Sequence, residues 1–433
     1  MAYLKVRCLK VRCQKTYPPR NSVNPVNANR IQYCCVIFLL ACKSLLAQTD
    51  ISETEFEFDL DLSVEPITTQ DSATDTTQDL SKTSMTQPIP SAFRFSLDHE
   101  FSINPKNYDG LINNRFGGQL EYDKLIAKNV FAKLDVIGNL YTSQDHVSES
   151  AGKSYQTYGR IKKAWLQRSW DSLNIKFGKQ NIVWSEVDSS RATDNINPVD
   201  NSELLFIDFE DARLGQWMLS SNYYAEDGFW EGFVNLLPLF NRLPPAESIY
   251  SFGLNFPIDK VADPDPEAGV RFKIKWGPAE IAFLVANLIP NQPPYQLVTN
   301  DVDLQRSRFR EIAPRFCLSG INANLAHGKA LWKADIAYKT DQAYNAIQTC
   351  NINNVDCAPS STVIKKDVFD FAAGLEYTTR EHRLDFSITR TLIRNWHSGI
   401  LTEAKTGLFL LSWSKNYLHE ELSLSASYGK IYR

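Results

Sequence analysis

The chain has 433 residues, of which 43% are hydrophobic and 12% aromatic, and this composition excludes a wholly disordered protein. Its 46 basic and 50 acidic residues nearly balance, so charge makes no case for a nucleic-acid partner. A mean hydropathy of −0.31, without an uncharged run of about twenty residues, argues against membrane helices in the mature chain. A soluble β-protein or a membrane β-barrel remains.

Residues 1–47 are predicted to be a secretory signal. Basic residues precede an apolar run at 33–42, and Ala47 provides a cleavage site. The basic region is longer than in an ordinary signal, which would fit a start codon placed too far upstream. Two alternatives stay open: lipid attachment at Cys42, and a buried core segment.

Residues 48–90 are acidic and rich in Thr, Ser, Asp and Gln, with Lys82 as the only basic residue. Such a composition buries too little apolar surface to offset chain entropy, so we predict a flexible linker. The alternation of apolar and acidic residues at 56–62 leaves a short strand or a partner-binding motif as the alternative.

Residues 91–433 show the period of β-strands. Phe93, Phe95 and Leu97, for example, alternate with polar residues, as in a strand with one dry and one wet face. No helical pattern reaches comparable length. About sixteen segments of this kind follow one another, at 93–103, 115–122, 130–141, 158–170, 173–184, 217–224, 230–237, 251–256, 269–276, 280–288, 315–325, 331–340, 368–377, 383–394, 407–413 and 420–432.

A barrel and a sandwich make different predictions for the charged faces of these strands. A cation facing the bilayer midplane costs about 2–4 kcal/mol, so in a barrel the charges must face a wet lumen. A sandwich would instead place the aromatic faces in a core. Many strands end in Trp, Tyr or Phe, which favours the interface girdles of a barrel. The charges that would face the lumen include Arg271, Lys273, Lys275, Lys333, Asp335 and Lys339.

Connection lengths also favour a barrel. The turns at 277–278 and 327–328 are tight, whereas 238–250, 257–268, 290–312 and 341–366 are long. Short turns on one rim and long loops on the other are typical of outer-membrane barrels. We therefore predict an all-β, antiparallel transmembrane β-barrel of about 14–16 strands over residues 91–433.

Cysteine use is consistent with export. Cys350 and Cys357 lie in one long loop, and we predict a loop-closing disulfide between them. A metal pair is the weaker alternative, because the loop has no His. Cys317 lies in a strand pattern and is expected to be a lone cysteine. No metal or cofactor is expected.

A long, charge-rich segment interrupts the strands at residues 185–213. It follows the strand pattern of 173–184 and contains an Asn197-Pro198 breaker. Its density of ionisable groups is far greater than a turn needs. The segment either caps one end of the sheet or folds into a cavity that the sheet encloses.

Five pieces of this region resemble, in the same order, an uncharacterised family of bacterial outer-membrane porin-like β-barrels (domain of unknown function 1302 type). The pieces are residues 178–186, 191–194, 196–200, 208–213 and 241–245. The resemblance implies a barrel in the outer membrane of a Gram-negative bacterium. It also implies an inner-membrane exporter of the resistance-nodulation-division type as a partner, and with it an apolar or lipid-like cargo.

If the segment folds inward, its charges would meet a basic barrel wall, narrow a pore and orient a polar solute. Arg191 and Arg213 would then need carboxylate partners. The alternative is a plug whose salt bridges only hold the loop. The segment contributes Glu186, Asp188, Arg191, Asp194, Asp200, Glu210, Asp211 and Arg213, and the wall contributes Lys176, Arg271, Lys273 and Lys275.

The sequence offers almost no catalytic motif, and we predict that the protein is not an enzyme. There is no nucleophile elbow, phosphate loop or dinucleotide fingerprint. His382, Asp385 and Ser387 form the nearest set, which leaves an outer-membrane lipid hydrolase as the least favoured alternative.

The predicted function is passage or export of a small solute, with a sealed binding or structural barrel as the alternative. Outer-membrane lipid and the barrel-assembly machinery are the expected partners. The chain ends on Arg433, where barrels commonly end on an aromatic residue, and beside the resembled family it stops a hairpin or two early. We therefore expect either an incomplete C-terminus or a last strand that pairs without that signal.

Overall fold

A computed structural model describes residues 4–14, 58–62, 92–103, 111–142, 155–202, 212–244, 258–261, 264–299, 308–347, 361–417 and 422–432. Its first ten strands are β1 (Leu4–Gln14), β2 (Phe58–Leu62), β3 (Ala92–Ile103), β4 (Leu111–Ala127), β5 (Val130–Tyr141), β6 (Gln156–Ser169), β7 (Leu173–Gln180), β8 (Gln216–Tyr224), β9 (Phe229–Leu237) and β10 (Ile258–Asp259). The remaining ten are β11 (Glu267–Trp276), β12 (Ala279–Leu288), β13 (Tyr295–Thr299), β14 (Arg308–Glu311), β15 (Phe316–His327), β16 (Ala330–Ile347), β17 (Ser361–Thr378), β18 (His382–Ile393), β19 (Lys405–Tyr417) and β20 (Leu422–Tyr432).

Fifteen of these strands form one antiparallel wall in chain order. From β3 to β9, each strand pairs with the next, and the order continues through β11, β12 and β15 to β20. Strand β1 pairs antiparallel with β3 and parallel with β2, which lies beside β20. The pairings thus form a ring, and the predicted β-barrel is confirmed.

The first two strands lie inside the predicted signal and linker. Strand β1 falls in residues 1–47, and β2 is the short strand that the alternation at 56–62 left open. Signal cleavage at Ala47 and a flexible linker stay predictions, since most of residues 1–91 lie outside the described part of the chain.

The two faces of the wall differ as the alternation predicts. On β12, Phe283 and Val285 are 46% and 45% exposed, whereas their neighbours Leu284 and Ala286 are 5% and 3% exposed. The closed sheet turns this apolar face outward. Exposing so large an apolar area to water is unfavourable, so the face is expected to be surrounded by lipid. The opposite face, which includes Arg271, Lys273 and Asp335, lines the lumen.

Short turns and long connections fall on opposite rims. At the short-turn rim, Gly277 and Gly328 each adopt a φ of 59°, in the left-handed region that favours glycine. Longer connections on the other rim carry a small sheet in which β14 pairs with β13 and β10. Among the described residues, no helix is long and apolar enough to cross a bilayer.

Several expectations need correction or lie outside the described residues. The strand expected at 173–184 ends at Gln180, where the chain turns into the lumen. Cys317 is an exposed free cysteine on the outer face of β15, as expected. The strand expected at 251–256 and the disulfide between Cys350 and Cys357 fall outside the described residues.

Candidate functional site

The described parts of the connection between β7 and β8, residues 181–202 and 212–215, fold into the lumen and are together called the inward segment. Its two ends form an apolar root. Trp184 and Ile196 are both 0% exposed and belong to one cluster with Met218 and Phe233 on the lumen face of β8 and β9. The Trp184 ring meets the Phe233 ring edge-on at 5.3 Å. Apolar burial of this extent holds the segment inside the barrel.

Hydrogen bonds close the root across the two ends of the segment. The Asn197 side chain donates to the Ile182 carbonyl at 2.6 Å and accepts from the Ile182 amide at 3.2 Å. The Gln216 side chain at the start of β8 donates to the Ile196 carbonyl at 2.7 Å. These buried backbone groups are therefore satisfied without a strand partner.

The tip of the inward segment, residues 185–195, is fixed to the far wall by polar groups. Asp335 on β16 is 0% exposed and accepts four hydrogen bonds. The donors are the Ser185 hydroxyl at 2.5 Å, the amides of Glu186 at 3.0 Å and Val187 at 3.1 Å, and the Asn322 side chain at 2.5 Å. One wall carboxylate thereby determines the path of three consecutive tip residues.

Glu186 anchors the tip to the next strands. Its carboxylate lies 2.9 Å from Lys273 Nζ and accepts a hydrogen bond from Asn324 at 2.9 Å. Burial opposes ionisation here, but the hydrogen bonds from Lys273 and Asn324 outweigh it, and the pKa of Glu186 is lowered from its usual value. The carboxylate is therefore ionised at neutral pH.

Two further contacts extend the tip towards β18. Asp188 lies 3.0 Å from Lys333 Nζ and 4.0 Å from Arg383. The hydroxyls of Ser189 and Ser387 lie 2.6 Å apart. The tip thus spans the lumen from β11 to β18.

The remaining acids of the inward segment are also paired. Asp194 forms an ion pair with Arg213 at 2.8 Å, and burial raises its pKa although Arg213 opposes the shift. Asp200 lies 3.1 Å from Arg242 and 3.4 Å from Arg160. These pairs lie within the root and between the root and the wall.

The residues predicted for the site fall into three groups. Glu186, Lys273, Asp188, Asp194, Asp200, Arg213 and Arg271 contact one another, the segment or the lumen wall, with Arg271 donating to the Trp184 carbonyl at 3.3 Å. Lys176 instead lies 4.5 Å over the Trp165 ring, and Lys275 is exposed at the end of β11. Glu210 and Asp211 fall outside the described residues.

The need of Arg191 for a carboxylate partner stays a prediction: it makes no ion pair within the described chain, although the charge of Asp194 attracts it at longer range. Arg191 is exposed, and Asp194, one of the two acids three positions away in sequence, forms its ion pair with Arg213 instead. Desolvation by the surrounding barrel lowers the pKa of Arg191 from its usual value. The guanidinium nonetheless stays charged at neutral pH.

A cavity of about 440 Å³ lies between the tip and the wall formed by β16 to β19. Ser189, Arg191 and Asn195 line it from the tip, and Lys339, Asp370, Thr389 and Thr391 line it from the wall. Lys339 and Asp370 form an ion pair at 2.6 Å. Ala192, Val368, Phe371 and Leu408 add apolar surface to the lining. The inward segment therefore narrows the lumen and leaves an opening of mixed lining on one side.

The hydrolase candidates do not form a catalytic relay. Asp385 pairs with Arg383 at 2.9 Å, and Ser387 bonds to Ser189. His382 accepts a hydrogen bond from the Trp413 indole at 3.3 Å. By the alternation of β18, His382 also faces away from the side of Asp385 and Ser387.

The anchors on β15 and β16 were not connected with the segment by sequence reasoning. The alternation placed Asp335 on the wet face, but nothing local indicates that it meets Ser185, which is 150 positions away. Asn322 and Asn324 give only a weak signal in the sequence, since they are amide side chains at alternate positions that face the lumen. Among the described residues, no group of three or more His, Cys, Asp or Glu could hold a metal ion.

These features define a class of protein. A closed antiparallel sheet with an apolar outer face, a charged lumen and an inward-folded connection is a porin-like transmembrane β-barrel. Closed barrels of this kind span the bacterial outer membrane, and the protein is an outer-membrane barrel.

The chain belongs to the family described as protein of unknown function (DUF1302), which matches residues 70–419. No curated protein matches the chain. Several solved structures show a distant likeness, at identities and TM-scores too low to transfer any property. They include OmpF of Salmonella typhi (11% identity, 73% of this chain, 91% of that chain, TM-score 0.40), OmpT of Vibrio cholerae (12%, 74%, 81%, 0.39) and the outer membrane channel DcaP of Acinetobacter baumannii (9%, 76%, 89%, 0.36).

Proposed function

We propose that the protein is a passive channel that lets a small polar solute cross the outer membrane between the inward segment and the wall of β16 to β19. The observation that carries this proposal is the opening of about 440 Å³ beside a segment that is fixed at both root and tip. A segment held by a buried tryptophan and an eleven-residue polar tip forms a stable constriction, beside which solutes can diffuse.

The lining carries apolar side chains, among them Val368 and Leu408, beside polar ones, and it is the polar ones that support a polar solute over the apolar or lipid-like cargo that the resemblance raised. Ser189, Asn195, Thr389 and Thr391 offer hydroxyl and amide groups, and Arg191 offers a charge. Apolar molecules would desolvate these groups without satisfying them, which costs about 1–3 kcal/mol for each group left unpaired.

Single-channel conductance of the refolded protein in a planar bilayer tests the proposal. A Thr389→Trp variant should lower conductance several-fold, because its ring would fill the opening from the wall. The matched control is Gln167→Trp on the lumen face of β6, which lies across the barrel from the opening. This control should change conductance much less.

If the barrel is sealed, no conductance is expected in any variant. If heat-modifiable gel mobility shows a folded, inserted barrel that never conducts, the channel proposal fails and a binding or structural barrel replaces it. Equal loss of conductance in both tryptophan variants would place the passage elsewhere in the lumen.

A further inference from the structure

The acids of the inward segment are neutralised within the barrel. Glu186 pairs with Lys273, Asp188 with Lys333, Asp194 with Arg213, and Asp200 with Arg242. Each of these distances is 3.1 Å or less. The four described carboxylates of the segment therefore contribute little free negative charge to the opening.

Arg191 is the exception on the segment. Its side chain is exposed at the opening, and no ion pair joins it to a carboxylate in the described chain. On the wall, Lys339 and Asp370 neutralise each other at 2.6 Å, and the Thr391 hydroxyl donates to Asp370 at 2.5 Å. Arg390 also lines the cavity and adds a second positive charge from the wall. The fixed charge of the opening is therefore positive.

We propose that the opening selects small carboxylates, and that Arg191 is the residue that binds them in passage. This inference rests on the channel function proposed above and names its solute class. A guanidinium presents a planar fork that matches both oxygens of a carboxylate, and the charge raises the local concentration of anions. The hydroxyls of Ser189 and Thr389 line the same opening and can complete the hydration that the solute loses.

Reversal potentials in a potassium chloride gradient test the charge. The natural chain should pass chloride in preference to potassium. In Arg191→Gln the permeability ratio should fall towards one, and in Arg191→Glu it should invert. Lys329→Gln is the matched control, because it removes one exposed positive charge at the short-turn rim and should leave the ratio nearly unchanged.

The carboxylate fork has its own test. Succinate added to the bath should interrupt the chloride current in the natural chain. Arg191→Lys keeps the charge and loses the planar fork, so it should retain chloride preference while the succinate block weakens about tenfold. Equal block in both forms would show that charge alone acts and would overturn the carboxylate assignment.

Failure of this inference and failure of the channel proposal are distinct. A barrel that conducts without anion preference, or whose preference survives Arg191→Gln, overturns the inference and leaves the channel intact. An inserted barrel that never conducts removes both.

Discussion

At the residue scale, Asp335 shows how one buried group can hold a long connection in place. Its two carboxylate oxygens are filled by donors from the tip and from Asn322. A fully buried carboxylate would be costly without these donors. The cost of burying it is therefore offset only when the tip is docked, which couples the position of the tip to the stability of the barrel.

Asp335→Asn should loosen this contact. The amide has one acceptor oxygen in place of two, so one backbone N–H of the tip loses its partner at a cost of about 1–3 kcal/mol. We expect a lower urea midpoint and noisier single-channel currents. Asp385→Asn, whose described partner is Arg383, is the control and should leave the noise unchanged. Quiet currents in Asp335→Asn would contradict the anchoring role.

Glu186 predicts a pH dependence. Its folded pKa is lowered, so its ionised form stabilises the docked tip at pH above the usual carboxylate pKa of about 4.5. That contribution should be lost as the pH falls through the lowered value. Conductance recorded from pH 7 down to pH 3 should therefore show an acid-induced rise in noise or step size.

Glu186→Gln separates this group from other carboxylates. The variant should behave at pH 7 as the natural chain does at low pH, and its remaining pH response should be smaller. An unchanged response in Glu186→Gln would assign the acid transition to another carboxylate.

At the scale of elements, the inward segment combines an apolar root with a polar tip. The root resembles a small core and is expected to stay in place. The tip depends on side-chain hydrogen bonds that water in the lumen can compete for. Whether solutes pass beside the docked tip or only after it moves is the central question for this element.

A cross-link between tip and wall answers that question. The hydroxyls of Ser189 and Ser387 lie 2.6 Å apart, so Ser189→Cys with Ser387→Cys brings two sulfurs within reach of a disulfide. We expect conductance to persist after oxidation, with quieter currents, because the proposed passage runs beside the docked tip. Current that stops on oxidation and returns on reduction would show that the tip must move.

Sequence reasoning reached the elements because strand faces are a local property. Alternation in stretches such as Arg271 to Trp276 predicts which side is wet without knowledge of the neighbours. The end of β7 was placed four residues too late, since Ile182 and Trp184 continue an apolar pattern that belongs to the root. A buried root and a strand face present the same residue types, so the pattern could not separate them.

The partners within the site could not be predicted in the same way. Asp188 was expected to meet a basic wall, and it does, but at Lys333, which was not among the residues expected to meet the segment. Pairings across a lumen depend on strand tilt and on the path of the segment, which no local pattern encodes. The free charge of Arg191 likewise becomes visible only after the pairs of its neighbours are known.

At the scale of the whole molecule, stability depends on keeping charge off the outer face. Phe283→Arg on β12 would place a cation in lipid and should cost about 2–4 kcal/mol near the midplane. Ser412→Arg, on the lumen face of β19, is the matched control and should cost much less. Folding yield into vesicles and urea midpoints would measure both, and equal losses would contradict the assignment of faces.

The two longest described strands extend beyond the membrane and restrict the directions from which a solute can approach the lumen. Strands β16 and β17 each have eighteen residues, about 60 Å at 3.4 Å per residue, whereas the apolar band is about 25 Å tall. The upper end of β16 holds the small sheet through Asn345, whose side chain donates to the Tyr295 carbonyl at 2.6 Å. Molecules that arrive from above these strands strike protein before they reach the lumen, so capture from bulk water depends on the direction of approach.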